Sequence, residues 1–292
     1  MCTVSIINLH DAAGAGAGPV GYRMVVNRDE HRDRAIAIPP RWHEISRPGG
    51  GVVRAIFPLD PAGGGTWVAL SEAGLMMCLL NRNDLPRPKL PDPRTLISRG
   101  RIIPQLIGHA SAAEALAALR EMNLRAMAPF RLLAVDPPHA GGSRGAEGLS
   151  PFVASWDLRE LRIEPLAAPP LCLVSSGLGD VHVQPRLGLF REMVGSATGA
   201  AAIAQQDRFH RHVWPDRPEI SVLMSRCEAR TVSILTAEVR VGASVAQGGE
   251  GAAEMGGAGA VGGMGGVTVH YEPIPELAPV LPVAAHARIA AG

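Results

Sequence analysis

The chain has 292 residues, 47% of them apolar and 19% charged, with a formal net charge of +1. That length holds one large domain or two small ones with ample core. Twenty-eight basic residues, of which only Lys89 is lysine, balance 27 acids with no arginine-rich run, so no nucleic-acid partner is expected; no apolar stretch reaches the ~18 residues of a membrane span.

The expected elements begin with two strands. Thr3 to Leu9 is a β-branched apolar run, Gly21 to Val26 a second, and the Gly/Ala-rich stretch between them makes a hairpin connection. A Pro/Gly-rich loop follows, then strand-like runs at Gly51 to Phe57, Thr66 to Ser71 and Leu75 to Leu80, the last two joined by a turn at Ser71-Glu72-Ala73-Gly74. Thr95 to Ile107 has helical spacing with Pro104 as a kink or stop, and Ser111-Ala112-Ala113-Glu114 has capping-box form ahead of a second helix. Further strands are expected at Phe130 to Val135, Phe152 to Trp156, Leu171 to Ser175, Thr231 to Val241 and Val267 to Tyr271. Helices are expected at Arg186 to Val194 and Ala200 to His212.

Residues 242–266 contain 11 glycines and no aromatic side chain, too little apolar area to offset ordering entropy, so a disordered insertion is expected there. The tail after about Pro273 reads as irregular. Strands, helices, strands, helices and strands in that order give an α+β class with antiparallel sheets, in one domain spanning 1–292.

Three local patterns fail on context. Gly16-Ala17-Gly18-Pro19-Val20-Gly21 fits the dinucleotide fingerprint, but a strand follows where a phosphate-binding helix must open. Gly141-Gly142-Ser143-Arg144-Gly145 fits a nucleophile elbow but lies in a Pro/Gly loop with no helix after it. His210-Arg211-His212 brings no carboxylate or cysteine beside it, and two imidazoles two apart on a helix diverge. The four cysteines form no C-x-x-C pair and the start of the chain lacks a basic n-region, so a reduced cytoplasmic protein without metal or cofactor is expected.

Cys2 carries the chemistry. A small residue after Met1 permits removal of the methionine, leaving a thiol nucleophile and an α-amine of pKa ~7.7–8.0 on one residue, so that the amine serves as base. Around it stand Met1-Cys2-Thr3-Val4, Asn27-Arg28-Asp29-Glu30, Gly64-Gly65-Thr66-Trp67, and Gly74-Leu75 with Leu80-Asn81-Arg82. Ser98-Arg99-Gly100, Pro129-Phe130-Arg131-Leu132-Leu133, Val174-Ser175-Ser176-Gly177 and Arg230-Thr231-Val232 follow. Together, in this order, they resemble the NRDE family, which includes the transport and Golgi organisation protein 2 group.

The resemblance implies a four-layer αββα sandwich similar to N-terminal-nucleophile hydrolases, and a linear amide cleaved through a thioester. It implies Cys2 as nucleophile and base, Arg28 and Asp29 as its electrostatic supports, and Asn81 as oxyanion donor. Asn27, Ser176 and Arg230 fall on the ligand-binding side. The partner is then a small-molecule amide. The alternative is a non-catalytic carrier of a hydrophobic ligand such as haem or acyl-CoA on the same fold. Trp67 is expected in the core. Ser175-Ser176 stands where the related hydrolases carry a second asparagine.

Overall fold

The opening hairpin forms as expected. Strand β1 (Cys2–Leu9) pairs antiparallel with β2 (Gly21–His31), in register from Cys2 opposite Arg28 to Leu9 opposite Gly21. No helix opens at Gly21. This computed structural model describes residues 2–10, 20–136, 149, 151–240, 259–264 and 266–276, so the glycines ahead of Gly21 and the serine motif at 141–145 lie outside the described residues.

The next strands are β3 (Ile38–Ser46), β4 (Val52–Leu59), β5 (Val68–Ser71) and β6 (Met76–Asn81). Strand β3 falls where a loop was expected. It is an edge strand, and its pairing with β4 slips between Ile38 and Arg41, around Pro39 and Pro40. An edge tolerates prolines because the missing N–H has no ladder partner to lose. The Ser71–Gly74 turn is present, with Gly74 at φ +90° donating its N–H to Ser71 O at 2.9 Å.

Helix α1 (Ile102–Leu106) is much shorter than the run expected there and is preceded by a tight 3-10 turn at Arg99–Arg101. Pro104 lacks an N–H and fits only within the first helical turn, which fixes where the helix starts. Helix α2 (Ala112–Arg120) has its expected cap: Ser111 Oγ accepts from Glu114 N at 3.2 Å, while Glu114 Oε2 accepts from Ala110 N. Strands β7 (Phe130–Val135), β8 (Pro151–Trp156), β9 (Leu161–Pro165) and β10 (Leu171–Val174) follow. Then come α3 (Pro185–Val194), α4 (Gly199–His210), β11 (Ala229–Arg240), β12 (Gly259–Met264) and β13 (Val267–Pro273). Strand β12 departs from the expectation of disorder across 242–266: its backbone pairs with β13. The rest of the insertion up to 258, and the tail beyond 276, lie outside the described residues.

The strands make two antiparallel sheets, ordered β10-β1-β2-β11-β13-β12 and β3-β4-β5-β6-β7-β8-β9. Alternation along each strand sends one set of side chains between the sheets and the other outward. Val4, Ile6, Met24 and Val26 from the first sheet meet Leu70, Met76, Leu80 and Leu133 from the second. Ala69, Met77 and Leu132 turn outward onto Ile103, Leu106 and Leu116 of α1 and α2. On the far side Ile7 packs with Phe190, Val194 and Phe209 of α3 and α4. Helices, sheet, sheet and helices therefore stack as four layers, the architecture that the family resemblance implies. Tyr22 ties the two sheets directly, donating to Gly74 O at 2.8 Å.

Candidate active site

Strand alternation decides which residues meet at Cys2. Cys2 faces the inter-sheet layer and is 3% exposed. Beside it opens a cavity of about 740 Å³ whose wall includes Arg28, Trp67, Asn81, Asn83, Arg99 and Arg226. The β1–β2 register places Arg28 directly across from Cys2. Cys2 O accepts from Ser175 N at 2.9 Å, which fastens the first residues of β1 to the end of β10.

Arg28 is pinned from three directions. Its guanidinium lies 4.1 Å above the Trp67 ring, with Nη2 at 3.4 Å from Glu30 and 3.7 Å from Asp60. Asp60 is in turn held by Arg34. Burial alone would raise the Asp60 carboxyl, but the Arg34 hydrogen bond and the charges of Arg34 and Arg28 keep it below the usual range. Trp67 is thus core, as expected, and also the platform that flattens Arg28 against the cavity wall.

Burial pushes the Cys2 thiol above its ordinary value, and the carboxylates of Asp29 and Glu30 push the same way; the positive amino terminus and, more weakly, Arg28 favour the thiolate but do not prevail. A thiol so placed is protonated at neutral pH and needs a base beside it before it can attack.

Asp29 does not share the wall with Arg28. Neighbours on a strand point to opposite faces, so its carboxylate enters the layer between the sheet and α3. There Oδ1 accepts from Thr231 Oγ1 at 2.7 Å and Oδ2 lies 3.6 Å from Arg186 Nη1. Arg186 is 1% exposed and also donates to Thr3 Oγ1 and Ile220 O. Burial raises the Asp29 carboxyl in spite of Arg186, and lowers Arg186 in spite of Asp29.

Three further expectations part from the cavity. Asn27 also faces the helices, where Nδ2 donates to His210 O and Val222 O, and Oδ1 meets His210 Nδ1 at 2.7 Å. The other imidazole nitrogen of His210 meets Ser5 Oγ at 2.6 Å, so His210 is a buried structural residue. No cluster of metal-ligating side chains is found among the described residues. Ser176 closes a small turn, its N–H donating to Asp180 and its Oγ accepting from Leu178 N. Arg230 reaches the other way, to Ile274 O at 2.7 Å. The arginine of that segment that lines the cavity is Arg226, from the turn before β11, where Arg226 N donates to Ala229 O.

Asn83 and Arg99 also line the cavity, neither of them expected there as a site residue. Asn83 lies on the cavity wall two residues beyond Asn81, with Nδ2 3.5 Å from Ser175 Oγ, so an amide stands beside that serine. Arg99 is set by glycine packing. A Cβ on Gly65 would sit 2.4 Å from Gly100 C and O, and Thr66 N donates to Gly100 O. The Gly64-Gly65-Thr66-Trp67 and Ser98-Arg99-Gly100 motifs are therefore one contact seen twice, and their pairing was the legible signal.

No curated protein matches the sequence. Solved structures similar to this chain include a penicillin V acylase from Agrobacterium tumefaciens, at 14% identity and a TM-score of 0.43, with 82% of this chain and 83% of that one covered. A mutant conjugated bile acid hydrolase from Clostridium perfringens is similar at 12% identity and 0.43, covering 81% and 85%. An N-acylethanolamine-hydrolyzing acid amidase ortholog from Caenorhabditis elegans is similar at 12% and 0.44, covering 81% and 92%. The sequence model of the family described as Transport and Golgi organisation 2 matches residues 1–144, the part that carries Cys2, Arg28, Asn81 and Arg99. Over those residues, just under half of its length, the chain is similar to the Transport and Golgi organisation 2 family, in line with the resemblance that its early motifs carry.

Proposed function

We propose that the chain is an N-terminal-cysteine amidohydrolase that cleaves a linear amide through a thioester. The observation that carries this reading is the placement of Cys2: the second residue of the chain, on the floor of a cavity of about 740 Å³, directly across the strand pair from a pinned guanidinium.

The chemistry follows from the site. Loss of Met1 frees an amine on the same residue as the thiol, and that amine takes the thiol proton that burial holds in place. Sulfur bonds to the amide carbon, and the carbonyl oxygen becomes an oxyanion toward which Asn81 offers an amide N–H. Collapse breaks the C–N bond as the ammonium returns its proton to the leaving amine. Water, deprotonated by the same amine, then attacks the thioester and releases a carboxylic acid and the thiol. Arg28 stabilises sulfur as it loses its proton. Asp29 supports from the opposite face, as the counter-ion of Arg186 and as a negative charge near the position of the new ammonium.

The carrier reading has weaker support, because a lipid or haem pocket is mainly apolar, whereas this wall carries Arg28, Glu30, Asp60, Arg99 and Arg226. The test is turnover of a panel of amides by the wild-type chain and by Cys2→Ala, with folding checked by circular dichroism. Turnover by the wild type alone supports the reading. Equal rates in the two, or none in either, contradict it.

A further inference from the structure

The charges on the cavity wall are not evenly matched. Among the described residues Arg28 reaches Glu30 and Asp60, Arg34 reaches the same two acids, and Arg226 reaches Glu228 at 3.1 Å. Among the described residues Arg99 and the exposed Arg87 make no ion pair with a carboxylate, although the charge of Glu30 acts on Arg99. Arg87 donates to Gly177 O, and Arg99 Nη1 donates to Pro129 O at 2.7 Å. A guanidinium has five N–H donors, so this single carbonyl anchors the Arg99 fork and leaves most of it without a protein acceptor among the described residues.

Its position is also built. The 3-10 turn Arg99–Arg101 is capped by Ser98 Oγ, and the next residue, Gly100, is wedged against Gly65. Arg99 is partly buried, and burial lowers its readiness to stay charged, while the charge of Glu30 and, after it, a negative charge on Cys2 act to restore it. Arg99 and the nucleophile therefore share one field. The apolar side chains Leu79, Leu96 and Ile97 lie on the same wall, Ile97 at 37% exposure.

We infer that Arg99 is the specificity residue of the cavity and that the ligand is an amide bearing a carboxylate near its scissile bond, with its apolar part against Leu96 and Ile97. This rests on the proposed amidohydrolase reading for the word "scissile", but the anion preference does not depend on hydrolysis. A carboxylate meets a guanidinium through two parallel hydrogen bonds, which a neutral amide or ester cannot form.

The experiment measures binding by calorimetry to the Cys2→Ala chain, which holds an amide without cleaving it. N-octanoylglycine and its neutral counterpart N-octanoylglycinamide are the probes. The expected result is binding about ten- to a hundredfold tighter for the carboxylate, a preference lost in Cys2→Ala/Arg99→Gln and partly kept in Cys2→Ala/Arg99→Lys. Equal affinities, binding of neither probe, or an undiminished preference in the Arg99→Gln variant overturn the inference. Because the first comparison needs no Arg99 variant, a variant that does not fold leaves the test intact. Turnover is read separately: anion-selective binding without cleavage by the wild type sinks the amidohydrolase and spares Arg99. Cys2-dependent cleavage that ignores the carboxylate does the reverse.

Discussion

The buried pair Asp29–Arg186 gives the sharpest stability prediction. Both side chains are 1% exposed, and burial opposes the charge on each. An ion pair so placed gains little over a well-packed apolar pair, yet removing one partner strands the other charge in the interior. Asp29→Asn removes the carboxylate charge facing the Arg186 guanidinium and leaves it with neutral acceptors such as Thr3 Oγ1 and Ile220 O. The expected cost is about 3–5 kcal/mol, a fall in Tm of roughly 6–20 °C for a domain of this size. Arg186→Met is expected to cost less, because the stranded Asp29, already raised by burial, takes a proton. In Asp29→Asn/Arg186→Met no charge is stranded, so the double variant is expected to be about 2 kcal/mol more stable than the sum of the single losses. Urea unfolding followed by far-ultraviolet circular dichroism measures all three. Additivity within about 0.5 kcal/mol would refute the reasoning, since the two groups would then not be paired at all.

The remaining predictions are simpler. Asn81→Ala is expected to lower kcat about 10²–10³-fold on any amide the chain cleaves, with KM little changed; an equal loss confined to KM would assign Asn81 to binding instead. Gly65→Ala places a Cβ 2.4 Å from the Gly100 backbone, so it is expected to cost about 1–3 kcal/mol and to weaken whatever Arg99 holds. Retained stability and retained binding in that variant would count against the wedge. His210 is buried, and burial together with the charges of Arg23, Arg211 and Arg186 holds its folded pKa well below the unfolded value. The unfolded chain then binds the extra proton, so this contribution is full above about pH 6.5 and is lost as pH falls below it, by at most about 1.4 kcal/mol per pH unit. Urea midpoints at pH 7.5 and 5.5 test it; a decline just as steep in His210→Gln would refute it.

Much of the framework was legible because it depends on local pattern. The hairpin of β1 and β2, the capped start of α2 and the run Phe130–Val135 each carry a period or a cap that names the element. What escaped depends on partners distant in sequence. Pro39-Pro40 reads as loop until an edge position removes the objection. Arg99 stands in a quoted motif, but its place at the cavity is not legible until Gly100 is seen against Gly65. Arg226 rather than Arg230 reaches the cavity because the turn before β11, and not the strand, borders it. The parting of Arg28 from Asp29 was available in advance: two consecutive strand residues send their side chains to opposite faces of the sheet.

The account turns on whether Cys2, with its own amine free, becomes acylated. The direct measurement is the mass of the amino-terminal peptide after the wild-type chain is mixed with N-octanoylglycine and quenched in acid. The predicted species begins at Cys2, lacks Met1, and carries one octanoyl group on sulfur that hydroxylamine removes. A peptide that retains Met1, or an octanoyl group found on Cys227 or nowhere, would contradict it.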